Sequence, residues 1–109
     1  MDIEKTLTQM RKGVLELCIL SVISAKGHAY SSEILTSLKE SKLIVVEGTL
    51  YPLLSRMKND ELLGYTWKES TQGPPRKYFF VTEKGQDALV QLKAGWEDFS
   101  LCVSSLMKI

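Results

Sequence analysis

Residues 67–81 read WKESTQGPPRKYFFV, and this stretch decides how the rest of the chain is interpreted. Its two ends have the aromatic and β-branched composition of strands, so the segment from Leu62 to Thr82 predicts a β-hairpin. We expect the connection to be longer than a two-residue turn. Because proline cannot donate to a β-ladder, Gly73-Pro74-Pro75 predicts a stiff tip without ladder pairing.

The hairpin carries a local excess of positive charge. The whole chain has 14 Lys and Arg against 13 Asp and Glu, a formal net charge of +1. A net charge this small gives no global attraction to a polyanion, so any nucleic-acid binding must depend on local patches. Between residues 66 and 84 four cations stand against two anions: Lys68, Arg76, Lys77 and Lys84 against Glu69 and Glu83.

Two helical segments are predicted in the first half of the chain. Residues 14–23, VLELCILSVI, are apolar on nearly every face and predict a buried central helix. Periodicity alone does not distinguish such a run from a buried strand, but its Leu, Glu and Cys favour a helix. Ser31 and Ser32 carry hydroxyls that suit an N-cap, and we expect the helix after them to end near Ser41.

The third segment, EGTLYPLLSRMKNDELLG, gives the clearest helical pattern. Its apolar residues follow the i, i+3, i+4, i+7 rule for one helix face. Proline is tolerated in the first turn of a helix, so Pro52 predicts a start near Gly48 or Thr49. The apolar positions are Leu50, Leu53, Leu54 and Met57.

A last helix is predicted from Thr82, a suitable N-cap, to the end of the chain. Its apolar residues recur in steps of three and four, which is the seam of a coiled coil. Such a helix could fold back on its own domain or pair with a second subunit. The order of the other elements leaves it no obvious partner in its own chain, which favours a homodimer. The predicted dimer interface is Leu89, Leu92, Trp96, Phe99, Val103 and Leu106.

Three helices followed by a hairpin is the order of a winged helix, a variant of the helix-turn-helix motif that binds double-stranded DNA. We therefore expect a mainly α fold with a small β-hairpin: a winged-helix DNA-binding domain over residues 1–82 and a coiled-coil-like dimerisation helix over residues 83–109. A two-fold dimer would bind an inverted-repeat operator, with half-sites about one helical turn apart.

The predicted DNA contacts fall into two groups. The outward face of the third helix would read bases. The hairpin tip would lie along phosphates or the minor groove, and the start of the second helix would contact phosphates. Tyr51 could instead pack against the hairpin, Arg56 could be a free surface cation, and capping alone would explain Ser31 and Ser32. The first group is Thr49, Tyr51, Pro52, Ser55 and Arg56, and the second is Gln72, Gly73, Arg76, Lys77, Ser31 and Ser32.

Four strings stand out along the chain: RKGVLEL at 11–17, EGTLYP at 47–52, QGPPRKYF at 72–79 and TEKG at 82–85. In their order and spacing they resemble the PadR family of bacterial transcriptional regulators. The resemblance implies a winged helix with a C-terminal dimerisation helix, acting as a repressor, often of detoxification or efflux genes. In some members a small molecule releases the protein from DNA.

The chain also departs from that family pattern. Ser31 follows Tyr30 where a glycine is usual, and Gly73-Pro74-Pro75 stands where a second glycine is common. The single short C-terminal helix resembles the small subfamily. In several multidrug-sensing members of it, a tryptophan in this helix stacks on flat aromatic drugs, and Trp96 matches that position. The resemblance therefore implies Trp96 as a ligand-binding residue, whereas packing in the dimer seam is the simpler interpretation.

Other classes of function find little support in the sequence. There is no nucleophile–base pair, phosphate loop or carboxylate cluster, which argues against an enzyme, and no metal or other cofactor is expected. We expect Cys18 and Cys102 to be buried thiols in a reducing compartment. No run of apolar residues approaches a membrane span, so the expected location is the cytoplasm. The remaining alternative is a winged helix that binds protein instead of DNA.

Overall fold

The computed structural model describes residues 1–108 of the chain. Over these residues it has five α-helices and one two-stranded antiparallel sheet, which confirms the mainly α fold with a small hairpin. The elements are α1 (Ile3–Lys12), α2 (Leu15–Lys26), α3 (Ser31–Glu40), α4 (Glu47–Asn59), β1 (Leu63–Ser70), β2 (Gly73–Val81) and α5 (Glu83–Met107).

The first helix, α1, was not predicted. It begins where the Asp2 carboxylate accepts a hydrogen bond from the Lys5 amide at 3.1 Å, and the chain leaves it at Gly13. Ile3, Leu7 and Met10 lie on one side of it at helical spacing, yet none of residues 3–12 is buried. The helix therefore shows an apolar stripe that its own chain leaves uncovered.

The central helix is α2, as the all-round apolar segment predicts. Ile19, Leu20 and Ile23 are completely buried. Burying an aliphatic side chain of this size contributes about 1.5–3 kcal/mol, so these three residues anchor the domain. Around them pack Ala29, Ile34, Leu38, Leu50, Leu54, Met57, Leu63, Phe79 and Leu89.

The two helices that follow end in the same way. Lys42 after α3 and Glu61 after α4 both have φ near +65°. The left-handed backbone of this residue turns the chain, and the N–H of the following residue donates a hydrogen bond to a carbonyl of the helix. Leu43 N–H donates to the Leu38 carbonyl at 2.9 Å, as Leu62 N–H does to the Met57 carbonyl.

The position of Pro52 differs from the prediction. Because α4 begins at Glu47, Pro52 lies in its second turn. Its missing N–H leaves the carbonyl of Gly48 without the usual helical donor. Gly48 is exposed, so water can supply that donor and the helix continues.

The hairpin corrects two expectations about its tip. Ser70 pairs with Gly73, so the connection is a two-residue turn and the ladder includes the glycine. The pairing is irregular between Lys68 and Ser70, opposite the two prolines. The prolines lack N–H donors, which explains why the ladder breaks at Pro74-Pro75 and resumes at Gly73.

The last helix, α5, starts where predicted. The Thr82 hydroxyl accepts from Gly85 N–H at 3.0 Å and also donates to the carbonyl of Glu61 at 2.6 Å. Thr82 N–H donates to the Leu62 carbonyl at 3.1 Å. These bonds tie the start of α5 to the foot of β1.

Leu89 corrects the predicted dimer seam. It is buried in the core of its own domain, because the first turns of α5 pack against α2 and β2. The seam residues after it are all exposed in the single chain: Leu92, Trp96, Phe99, Val103 and Leu106. The division of the chain after residue 82 stays a prediction, and residue 109 lies outside the described residues. Over residues 1–108, no helix combines the length and apolar character needed to cross a bilayer.

Candidate nucleic-acid interface

The start of α3 lies beside the start of α4. Tyr30, in an extended conformation, is the N-cap of α3, and its N–H donates to the Glu33 carboxylate at 3.2 Å. Ser31 and Ser32 are therefore the first helical residues and not the N-cap. The Ser31 hydroxyl is instead 3.0 Å from the Tyr51 hydroxyl, so a hydrogen bond joins the first turn of α3 to the second turn of α4.

The outward face of α4 is only partly free for DNA. Tyr51, Pro52 and Ser55 are exposed, and Thr49 is half-buried. Arg56 is not a free cation, because its guanidinium pairs with the carboxylate of Glu16 on α2. An exposed pair of this kind contributes about 0–1 kcal/mol, so Arg56 could leave it at little cost.

The two predicted wing cations lie on opposite faces of the hairpin, since side chains alternate along a strand. Arg76 is exposed, and its guanidinium carbon lies 4.5 Å from the ring centroid of Tyr30. Lys68 is its cross-strand partner, with Nζ 4.8 Å from the ring centroid of Tyr78. Both cations thus lie over tyrosines next to the start of α3.

Lys77 belongs to the other face. Its Nζ lies 4.0 Å from the ring centroid of Tyr65, and the side chain is half-buried. Beside it, Trp67 is 63% exposed. The amine of Lys77 is therefore partly covered by aromatic rings, whereas Arg76 is exposed.

The turn at the hairpin tip is open to solvent. Gln72 and Gly73 are both exposed, and Gln72 N–H donates to the Ser70 hydroxyl at 3.3 Å. The tip can reach a neighbouring molecule without rearranging the core.

Together these residues form one continuous surface, which we call the basic face: Tyr30, Ser31, Tyr51, Lys68 and Arg76. It joins the N-terminal halves of α3 and α4 to one side of the hairpin through the contact of Tyr30 with Arg76. Lys68 and Tyr30 were missing from the predicted contacts. The correct register would have revealed Lys68, because it places that residue opposite Arg76.

A second site is a groove of about 860 Å³ between α5 and the junction of α1 with α2. Trp96 forms part of its wall and is 46% exposed. Glu16, the partner of Arg56, also lines it. The apolar lining includes Met10, Val14, Leu17, Leu92, Trp96, Phe99 and Val103.

Metal ligands and thiols are the remaining side chains with distinctive chemistry. Among residues 1–108, no group of three or more His, Cys, Asp or Glu is placed to hold a metal ion. Burial raises the pKa of the Cys18 thiol, which keeps it protonated at neutral pH. Cys102 is exposed, contrary to the expectation of two buried thiols, because it lies on the projecting part of α5.

Comparison with known proteins extends these observations. Residues 19–91 match the model of the transcriptional regulator PadR-like family. A solved PadR-like transcription factor from Bacteroides fragilis is 54% identical, with a TM-score of 0.77 and coverage of 94% of this chain and 98% of that one. A PadR-like transcriptional regulator from Bacillus cereus is 42% identical, with a TM-score of 0.81 and coverage of 93% and 98%. A PadR family transcriptional regulator from Eggerthella lenta is 28% identical, with a TM-score of 0.87 and coverage of 96% and 91%.

Proposed function

We propose that this chain, which belongs to the PadR-like family of transcriptional regulators, is a homodimeric repressor acting at an inverted-repeat operator. Family membership makes it a DNA-binding regulator and not an enzyme. The observation that carries the proposal is the basic face, which connects the recognition helix α4 with the wing, the hairpin Leu63–Val81. We place the protein in the cytoplasm, where it has access to DNA.

The basic face suggests how the protein docks. The first turns of α4 would enter the major groove, which is the position of a recognition helix. Arg76 and Lys68 would then lie along the phosphates, together with the free amides at the start of α3. Such contacts supply affinity and orientation, whereas base reading falls to the exposed residues of α4.

Two helices support the homodimer. An isolated helix of ten residues is marginal in water, and none of residues 3–12 of α1 is buried. Along α5 the residues Trp96, Phe99 and Leu106 are also exposed. A second copy laid into the groove between these helices would cover both apolar surfaces at once, which is why we favour a dimer over a monomer.

The same groove supports a small, planar aromatic ligand. Trp96 offers an exposed indole face for stacking, and an aromatic pair contributes about 0.5–1.5 kcal/mol beyond its buried area. Glu16 on the groove wall adds a carboxylate that suits a cationic ligand. Because Glu16 also pairs with Arg56 on α4, a cation in the groove would compete with the recognition helix for that carboxylate.

A winged helix that binds protein is the second candidate. The hairpin face of Trp67 and Tyr65 favours it, since exposed aromatic residues are enriched in protein interfaces. The two candidates differ in their dependence on salt, because only phosphate contacts release many counterions.

Replacing Arg76 by alanine is expected to flatten the salt dependence of DNA binding. Each phosphate contact contributes about 0.9 to the slope of log K against log salt. The two copies in a dimer would therefore lower the slope by about 2, at every DNA sequence. Fluorescence anisotropy across a salt series measures it, with DNA from upstream of the gene and a scrambled duplex as probes.

Lys77→Ala is the matched control, because this neighbouring cation lies on the other hairpin face. We expect its slope to stay within about 0.5 of the unmodified protein, since the half-buried amine packs on Tyr65. A loss with Lys77→Ala and none with Arg76→Ala would reverse the proposed orientation of the wing. Salt-independent or absent DNA binding by the folded protein would favour the protein-binding module.

Replacing Trp96 by alanine is expected to weaken binding of ethidium, measured without DNA, by at least about tenfold. The chain has two tryptophans, so Trp67→Ala is a matched control that should bind the dye normally. Dye anisotropy gives the affinity and sedimentation gives the oligomeric state. If Trp96→Ala abolished the dimer, the side chain would be a packing residue of the interface and the ligand role would be wrong.

A further inference from the structure

The segment between α3 and α4 holds two exposed aliphatic side chains. Leu43 and Val45 are half-buried against the core, whereas the alternate residues Ile44 and Val46 are 70% and 66% exposed. The alternation follows from the extended chain entering α4, where Val46 has φ −87° and ψ 156°. Packing of the domain thus explains Leu43 and Val45 but not the other two.

Val46 is also an unusual residue for its position. It is the N-cap of α4, where a polar side chain would accept a hydrogen bond from the first turn. Valine has no group that can do so, whereas a Ser or Asp here would stabilise the helix by capping its first turn. Folding therefore gives no reason for an exposed valine here.

The surroundings of Val46 favour base edges over phosphates. It precedes Glu47, an exposed carboxylate in the first turn of α4, which would repel a phosphate. The side chains at the start of a recognition helix are those that meet the bases in the major groove. The thymine C5-methyl is the apolar group exposed there, and small apolar side chains contact it.

We propose that Val46, flanked by Ile44, recognises a thymine C5-methyl group in each operator half-site. The inference rests on the proposed DNA-binding function and adds to it a residue that determines specificity. In this proposal Ile44 and Val46 contact DNA, and not a second copy of the chain or a protein partner.

The test begins with a duplex selected by the full-length protein from a random-sequence library. Each thymine of one half-site is then replaced by deoxyuridine, which removes the methyl group and keeps the base pairing. We expect one or two positions to lose about fourfold in affinity, the factor for one buried methyl-sized group. Deoxyuridine elsewhere in the duplex should change nothing.

Val46→Ala identifies the protein side of the contact. Because the dimer carries one Val46 per half-site, the substitution should weaken binding to the thymine duplex by about 16-fold, fourfold for each half-site, and have little further effect on a duplex that carries deoxyuridine at the contacted position of both half-sites. Val90→Ala is the matched control, because Val90 is equally exposed but lies on α5. It should bind both duplexes like the unmodified protein.

Three results would overturn the inference while leaving the regulator intact. They are half-sites that lack thymine, deoxyuridine substitutions without effect, or a Val46→Ala loss that is the same on both duplexes. An equal loss would indicate a structural role or a protein contact. Failure to enrich any sequence would instead contradict the DNA-binding function itself, so the two failures are distinguishable.

Discussion

Phe99→Asp is expected to convert the proposed dimer to a folded monomer and to lower affinity for a two-half-site operator by about 10²–10⁴-fold. Phe99 is 63% exposed in the single chain, so the substitution leaves the core of its own domain intact. In the proposed seam, however, it buries an unpaired carboxylate against apolar residues, which is strongly unfavourable. Loss of the second half-site removes the gain from bivalent binding, which is typically of this size.

Leu101→Asp is the control for that experiment. Leu101 is 70% exposed on the same helix but lies outside the three-and-four seam, so the variant should remain a dimer and bind DNA normally. Sedimentation velocity and anisotropy on a single duplex measure both properties. A Phe99→Asp protein that sediments as a dimer would exclude this face of α5 as the interface.

Gly85→Ala is expected to destabilise the protein by about 3 kcal/mol, although the same change inside a helix normally stabilises by about 1 kcal/mol. A Cβ at this position would lie 2.1 Å from the Leu62 carbonyl oxygen and 2.7 Å from Cγ1 of Val81. The first of these is backbone held by the Thr82 hydrogen bonds, so it cannot rotate away. To make room for the Cβ, α5 must shift or the hydrogen bonds at the foot of the hairpin must break.

Gly48→Ala separates this close contact from the general effect of removing a helical glycine. No atom of residues 1–108, apart from the chain neighbours and the backbone of α4 itself, lies within 4 Å of the added Cβ. We expect this variant to be as stable as the unmodified protein or slightly more so. Urea denaturation at one protomer concentration compares the two, because the stability of a dimer depends on concentration. Equal denaturation midpoints for Gly85→Ala and Gly48→Ala would show that the foot of the hairpin moves easily to accommodate the added Cβ.

Most of the fold could be predicted from the sequence, because the apolar residues that a helix buries recur with the helical period. The apolar positions of α2, α3 and α4 face one core, and Thr82 caps α5 as expected. The helix α1 escaped prediction although Asp2, Ile3, Leu7 and Met10 carry the signals of a capped amphipathic helix. No other element of the domain buries its apolar stripe, so the pattern of the other elements gave no reason to predict this helix.

The candidate site was predicted less completely, because partners distant in sequence leave no periodic signal. The pairs Arg56 with Glu16 and Ser31 with Tyr51 lie 40 and 20 residues apart. By contrast, the separation of Arg76 from Lys77 follows from strand alternation and could have been deduced. Leu89 was misplaced because one 3.5-residue pattern runs through both the core contact and the exposed seam of α5.

The tight junction at Thr82 and Gly85 has a mechanical consequence. Because Gly85 and Thr82 leave no gap between the foot of the hairpin and α5, the helix would act as a lever arm fixed to the proposed DNA-binding part. At about 1.5 Å per residue its 25 residues span roughly 37 Å, so a tilt of about 5° at one end moves the other by roughly 3 Å. In a two-fold pair, a small wedge inserted beside Trp96 would therefore change the spacing of the two wings by about 3 Å for each protomer, roughly the rise of one base pair along the double helix.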